Sequence, residues 1–200
     1  MKKLIIFGAG GHCNSCIDII LREKKYKIDF IVDDNKNDFK KFNIEIKNLI
    51  YFKENFKKTH NLFVGIGLIK NAIKRLNLIK KLEKYNLNFG KILSPNSVIS
   101  KSSSIFTGTI VMHNCVINSN VTIKQHSIIN TSSVIEHDVI VGKNSQISTG
   151  AIINGGSKVG DNTFIGSGTI VHQNIEIGNN CLIGAGKVIK RNLPSNSIIK

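Results

Sequence analysis

A branched aliphatic residue returns at every sixth position from Ile99 to Ile189, through Ile105, Val111, Ile117, Ile123, Ile129, Ile135, Val141, Ile147, Ile153, Val159, Ile165, Val171, Ile177 and Ile183. This period fits neither the turn of a helix nor the alternation of a simple strand. An unbroken array of this length predicts a solenoid of short parallel strands, a β-helix. Four residues after each aliphatic comes a second class, mostly small, as at Ser103, Thr109, Cys115, Ser127, Ser133, Ser145, Ala151, Ser157, Thr163 and Thr169. Together the two patterns predict one flat wall and one corner per unit, with the aliphatic inside and the small residue packed at the turn. Three units close one coil. β-branched side chains suit such stacked parallel strands. Gly142, Gly160, Gly166, Gly178 and Gly184 directly follow an aliphatic, as expected where the backbone turns sharply or takes a positive φ.

Before Pro95 the six-residue beat is absent and the pattern is that of an ordinary α/β unit. An apolar run, Lys3 to Phe7, leads into GAGGH, Gly8 to His12, and then into a helical pattern from Cys13 to Lys24. A second strand, Ile28 to Val32, ends in Asp33 and Asp34. Phe39 to Phe56 is mixed, predicting a short strand and a helix with no legible motif. A third strand, Leu62 to Ile66, runs into the glycines Gly65 and Gly67. Ile69 to Tyr85 follows with helical spacing at Ile73, Leu76, Ile79 and Leu82. Asn88 to Leu93 is expected as a last strand, with Ser94 to Ser97 as the joint. Residues 1–94 are therefore expected to form a Rossmann-like unit with a small parallel sheet, and residues 95–200 the β-helix.

Composition changes this picture little. The formal charge of +15 invites a nucleic-acid reading, but the lysines are scattered through the first half and no aromatic residues interleave with them as a stacking platform would need. A basic surface still favours anionic small molecules such as nucleotide diphosphates or coenzyme A. No run of about 18 apolar residues occurs, and the short N-terminal strand is no signal peptide, so no membrane span and a cytoplasmic location are expected. Cys115 and Cys181 fall in the small-residue slot, which points to packing. Cys13 and Cys16 form a CxxC without a second pair, so helix packing is the simpler reading beside a redox pair or half a zinc site.

The chemistry concentrates in two places. A glycine turn between strand and helix lets a backbone approach phosphate and aims helix N–H groups at it, although Cys13 stands where the dinucleotide fingerprint would have its third glycine. Asp33 and Asp34 would meet a ribose or base, or else occupy a solvated turn. In the array, His137 lies between Glu136 and Asp138, and an adjacent carboxylate holding one ring nitrogen raises the basicity of the other. The remaining histidines fall at spacings that do not bring three ligands to one corner, so no metal is expected.

The order of motifs, GAGGH, DD, GIG, SP and then NTSSVIEHDVIVG within a hexapeptide array, resembles the NeuD/PglD group of sugar acyltransferases over nearly the whole chain. The resemblance implies a nucleotide-sugar-binding α/β domain, a left-handed β-helix, a homotrimer with sites between subunits, and acetyl transfer from acetyl-CoA. The acceptor it implies is the 4-amine of a UDP- or GDP-linked amino-deoxy sugar. O-acetylation of a sialic-acid-like sugar or polysaccharide, or nucleotide-sugar binding without transfer, are the alternatives. It assigns His137 as general base and Asp138 as the acid that increases its basicity. Gly10, Gly11, His12, Asp33, Asp34 and Gly67 would touch the nucleotide sugar, and Ser167 and Ala185 would line the pantetheine channel. The group carries a second histidine nine residues after the base, touching the acyl donor. Here that position is Gln146, which is expected to take over the contact.

Overall fold

The computed structural model describes residues 1–35, 40–68 and 72–200. The first part holds β1 (Lys2–Phe7), α1 (Gly11–Glu23), β2 (Tyr26–Val32), β3 (Lys40–Lys41), β4 (Ile44–Lys47), α2 (Leu49–Asn55), β5 (Asn61–Val64), α3 (Ala72–Glu83) and β6 (Asn88–Phe89). They form one sheet in the order β3-β4-β2-β1-β5-β6. Its pairs are parallel except for the β3–β4 hairpin at one edge. The expected strand start at Phe39 and helix start at Ile69 lie outside the described residues.

The expected last strand, Asn88 to Leu93, is two. Asn88–Phe89 pairs with β5, whereas Ile92–Leu93 pairs with Ile110–Val111 and opens the coil. From there strands of two residues repeat on three faces, forming sheets of seven, six and five strands. Each face pairs residues one coil apart, as Ile117 with Ile135 and Ile147 with Ile165. The first face runs through Ile92, Ile110, Ile128, Gln146, Phe164 and Leu182, and the second through Val98, Val116, Val134, Ile152, Ile170 and Val188. The third is the more polar, with Ser104, Thr122, Ile140, Lys158 and Glu176.

The periodic aliphatics fill the interior from Val111 to Ile189. Truncating one of them to Ala removes packing worth about 2–5 kcal/mol. The small residues of the second class are buried at the corners, and their hydroxyls tie coil to coil. Ser127 Oγ donates to Gly142 O at 2.7 Å, Ser145 Oγ to Gly160 O at 2.7 Å and Thr163 Oγ1 to Gly178 O at 2.8 Å. A buried carbonyl left without such a donor is costly, which explains why Ser and Thr recur there.

The glycines after the aliphatics have a different cause from a positive φ. A β-carbon on Gly142 would lie 2.4 Å from the carbonyl carbon of Gly160, and one on Gly160 2.5 Å from that of Gly178, so close stacking of corners excludes a side chain. The left-handed residue comes two positions later, at every sixth residue from Gly108 to Gly186. Asn and Gly hold most of these places, as this conformation favours, and Asp138, with φ 60°, holds one.

α1 joins the two parts. It buries Cys13, Cys16, Ile17 and Ile20 in one cluster with Ile6 and Ile31 of the sheet and with Ile92, Ile110, Met112 and Ile128 of the first coil face. Both cysteines are reduced and packed, and burial pushes the Cys16 thiol up. α3 departs from its expected face, because Ile73 is exposed while Arg75 is buried.

Candidate active site

His137 and Asp138 stand at a corner between the second and third faces. The turn holds them because Asp138 N donates to Ser119 O at 3.0 Å and Gly156 N to His137 O at 3.0 Å, one coil away on either side. The left-handed backbone at Asp138 turns its carboxylate back onto the preceding ring, 2.8 Å from His137 Nδ1. Asn120 Nδ2 donates to the other carboxylate oxygen at 3.3 Å. The hydrogen bond with His137, and after it the one with Asn120, keeps the Asp138 carboxyl below the usual carboxylate range, so it is ionised at neutral pH. An ionised partner at Nδ1 favours the tautomer with its proton there, in which Nε2 is the acceptor of the ring. The ring is 62% exposed, and it borders a depression of about 540 Å³ with Asn154, Gly155, Gln173 and Asn174.

A second depression, about 350 Å³, is lined by Gly8, Gly10, Gly11, His12, Asp33, Gly65, Ile66 and Gly67. Gly10 and Gly11 have open space where a β-carbon would sit, at the start of α1. Gly8, at φ +98°, makes room for Ile66 of the neighbouring loop. Asp33 is at this site, but its carboxylate is engaged with the turn itself, accepting from Ala9 N at 2.7 Å and Asn35 N at 3.1 Å. Asp34 faces elsewhere and accepts from Leu49 N at 2.8 Å at the start of α2. Burial, and after it the charge of Arg75, lowers His12 to about 4, so its ring is neutral.

Ser167 and Ala185 are exposed on a corner between the first and second faces, in one column with Thr149. The column of His137, Gly155 and Gln173 runs along the opposite edge of the second face. Within one chain, therefore, the structure does not bring the predicted base to the predicted pantetheine positions or to the glycine loops. Gln146 falls in neither column. It is 6% exposed, its Oε1 accepts from Leu68 N at 2.8 Å, and its Nε2 donates to Ser148 Oγ at 3.1 Å. Both polar ends of the Gln146 side chain are thus engaged within the chain, one of them by Leu68, the residue after Gly67.

Three residues of these sites escaped sequence reading. Lys41 Nζ donates to Ala9 O at 2.6 Å and Gly10 O at 3.1 Å, bringing a cation onto the glycine turn from the edge hairpin. Arg75 is 1% exposed and donates from Nε to Ile66 O at 2.8 Å and from Nη1 to His126 O at 2.6 Å. Gly155 lies beneath His137, and its signal was available in the sequence as the glycine pair standing one coil after the EHD motif. Among the described residues, no group of three or more His, Cys, Asp and Glu side chains gathers as metal ligands would, and no helix is long and apolar enough to cross a membrane.

Residues 3–82 match the PglD N-terminal domain and residues 156–191 match bacterial transferase hexapeptide repeats. No curated protein sequence gives a significant match. Among solved structures, the acetyltransferase domain of PglB from Neisseria gonorrhoeae superposes with a TM-score of 0.91 at 24% identity, covering 99% of this chain and 96% of that one. PerB from Caulobacter crescentus, solved with CoA and GDP-perosamine, superposes with a TM-score of 0.89 at 26% identity, over 98% of this chain and 92% of that one. WeeI from Acinetobacter baumannii gives a TM-score of 0.87 at 21% identity, over 98% and 94%. The fold is thus a small α/β unit followed by a left-handed β-helix of hexapeptide repeats, and the two family models, in the expected order, together with the structural matches support a sugar acyltransferase of the NeuD/PglD type.

Proposed function

We propose that this chain transfers the acetyl group of acetyl-CoA to the 4-amine of a nucleotide-linked amino-deoxy sugar, with His137 as general base and Asp138 holding it in the productive tautomer. The observation that carries this reading is the 2.8 Å contact between His137 Nδ1 and the ionised Asp138, on a side chain that is 62% exposed. Nε2 takes a proton from the amine as its nitrogen bonds to the thioester carbonyl carbon. The tetrahedral adduct then expels the CoA sulfur, which leaves as the thiol with the proton returned from the imidazolium. The amide and CoA–SH are the products, and no covalent enzyme intermediate is needed.

The acceptor nucleotide fits the depression at Gly10, Gly11, His12 and Gly67, where backbone N–H groups at the start of α1 and the Lys41 ammonium supply positive potential for a diphosphate. Asp33 acts there by holding the turn, and Asp34 contributes less directly through α2. The acyl donor fits along Ser167 and Ala185. Supporting this choice, the perosamine N-acetyltransferase PerB was solved with CoA and GDP-perosamine.

Because Ser167 and Ala185 lie on the edge of the second face opposite His137, and the glycine-loop depression lies beside the first face, the reading requires a second subunit. That face carries an outward ladder of Val98, Val116, Val134, Ile152, Ile170 and Val188, with Val98 67% and Val188 50% exposed. An apolar strip of this length fits burial against another copy. A homotrimer would bring the His137 edge of one subunit to the sugar and pantetheine edge of the next.

The test is acetyl-CoA-dependent thiol release with UDP-, GDP- and CMP-linked amino sugars. One of them is expected to be turned over, and His137→Ala to abolish turnover while acetyl-CoA binding by calorimetry is retained. Full activity in that variant refutes the assignment.

A further inference from the structure

The loop from Gly65 to Leu68 is held in place by the coil. Gln146, on the first coil face, accepts from Leu68 N through Oε1 at 2.8 Å in a buried contact. Its own amide is oriented by Ser148 Oγ, which accepts from Nε2 at 3.1 Å and is itself buried. At the other side of the loop, Arg75 Nε donates to Ile66 O at 2.8 Å, and Nη1 of the same guanidinium donates to His126 O and to Asn144 Oδ1 of the coil. Between these anchors stands Gly67, where a β-carbon would meet His12 Cγ at 3.6 Å and Gln146 Oε1 at 3.8 Å. Gly67 therefore stands between His12 and Gln146, and it and His12 line the depression built from the two glycine loops.

We infer that Gln146 is a positioning residue for the nucleotide-sugar loop and not a contact of the acyl donor. This rests on the proposed assignment of that depression to the nucleotide sugar. Both polar ends of the Gln146 side chain are engaged within the chain, and the side chain is buried. An acyl donor touching it would have to displace Leu68 N or Ser148. Losing the acceptor instead leaves a buried backbone N–H without a partner, and the loop shifts to find one. The shift reaches the pocket wall through Gly67, which has no side chain of its own to hold it and lines the depression next to Leu68.

Gln146→Leu removes the acceptor at similar size, and Gln146→Glu restores an acceptor oxygen. Three measurements read the outcome: hydrogen exchange at the Leu68 amide, calorimetric affinity for UDP and GDP, and separate KM values for nucleotide sugar and acetyl-CoA. Gln146→Leu is expected to speed exchange at Leu68, to weaken affinity for the bound nucleotide about tenfold and to raise the nucleotide-sugar KM by a similar factor. The KM for acetyl-CoA should change less than about twofold, and Gln146→Glu should recover most of the loss. Ser148→Ala, which keeps Gln146 but frees its amide, should give a smaller effect of the same sign, and it serves if the leucine variant does not fold. Unchanged exchange and nucleotide affinity, or a raised KM for acetyl-CoA alone, overturns the inference. Should no acetyl transfer occur with any sugar, the exchange and nucleotide measurements still decide it.

Discussion

The imidazole of His137 lies over Gly155 so closely that a β-carbon there would come within 2.6 Å of both Cε1 and Nε2. The two residues are one coil apart, and the absent side chain is what lets the ring lie against the corner while Asp138 holds its other edge at 2.8 Å. Gly155 does not have the left-handed φ of its neighbour Gly156, so its backbone accepts a side chain without strain. Gly155→Ala is therefore expected to fold with normal thermal stability and to swing the ring away from its site. A displacement of about 1 Å in a catalytic group costs on the order of 10²-fold in rate. The expected result is a kcat reduced by that factor with KM values near those of the parent, measured by thiol release.

The aliphatic ladder on the second face gives a separate prediction. Ile152 stands mid-ladder between Val134 and Ile170. Ile152→Asp points a charge outward, which leaves the coil interior intact but cannot be buried against another copy without a large desolvation cost. Light scattering after gel filtration is expected to show a single chain in place of the proposed trimer. Acetyl transfer should fall more than about 100-fold while nucleotide binding by the glycine loops persists. A fully active monomer would refute the shared site.

Stability should fall on mild acidification. Burial comes first, and the charge of Arg75 second, among the causes that hold His12 and His126 at about 4, against an ordinary value of 6.5. Between those values the unfolded chain takes up a proton at each ring that the folded chain does not, so folding is disfavoured as pH drops from 6.5 towards 4. Above 7 both states are neutral at these rings and the effect vanishes. The loss is on the order of 2–3 kcal/mol per histidine across the window. Urea midpoints at pH 7.5 and 4.5 measure it. His126→Asn keeps a residue that tolerates the φ of 61°, and it is expected to make the midpoint less dependent on pH.

Much of the architecture is legible in the sequence. The sixfold aliphatic beat specifies the coil because only a wall-and-corner repeat puts those positions inside, and the residues from Val111 to Ile189 are indeed its core. The glycine turns and the HD pair were likewise visible, since a strand–glycine–helix pattern and an adjacent carboxylate are local in sequence. Periodicity misled in one respect. It counted Ile73 toward the buried face of α3, whereas Arg75 is buried because Ile66 O and the coil carbonyl of His126 satisfy its donors.

What the sequence alone determined is thus everything carried by local pattern: the coil, its corners, the α/β unit ahead of it, and the pairing of His137 with Asp138. Only the tertiary structure decided which face each residue looks onto. It set Gln146 beneath the glycine loop, 78 positions from its partner Leu68 in the chain, and placed His137 across the second face from Ser167 and Ala185. The physical reason is that a solenoid turns one periodic pattern toward three directions. Which direction is covered depends on where α1 packs, and that contact joins residues far apart in the chain, so no window of sequence contains it.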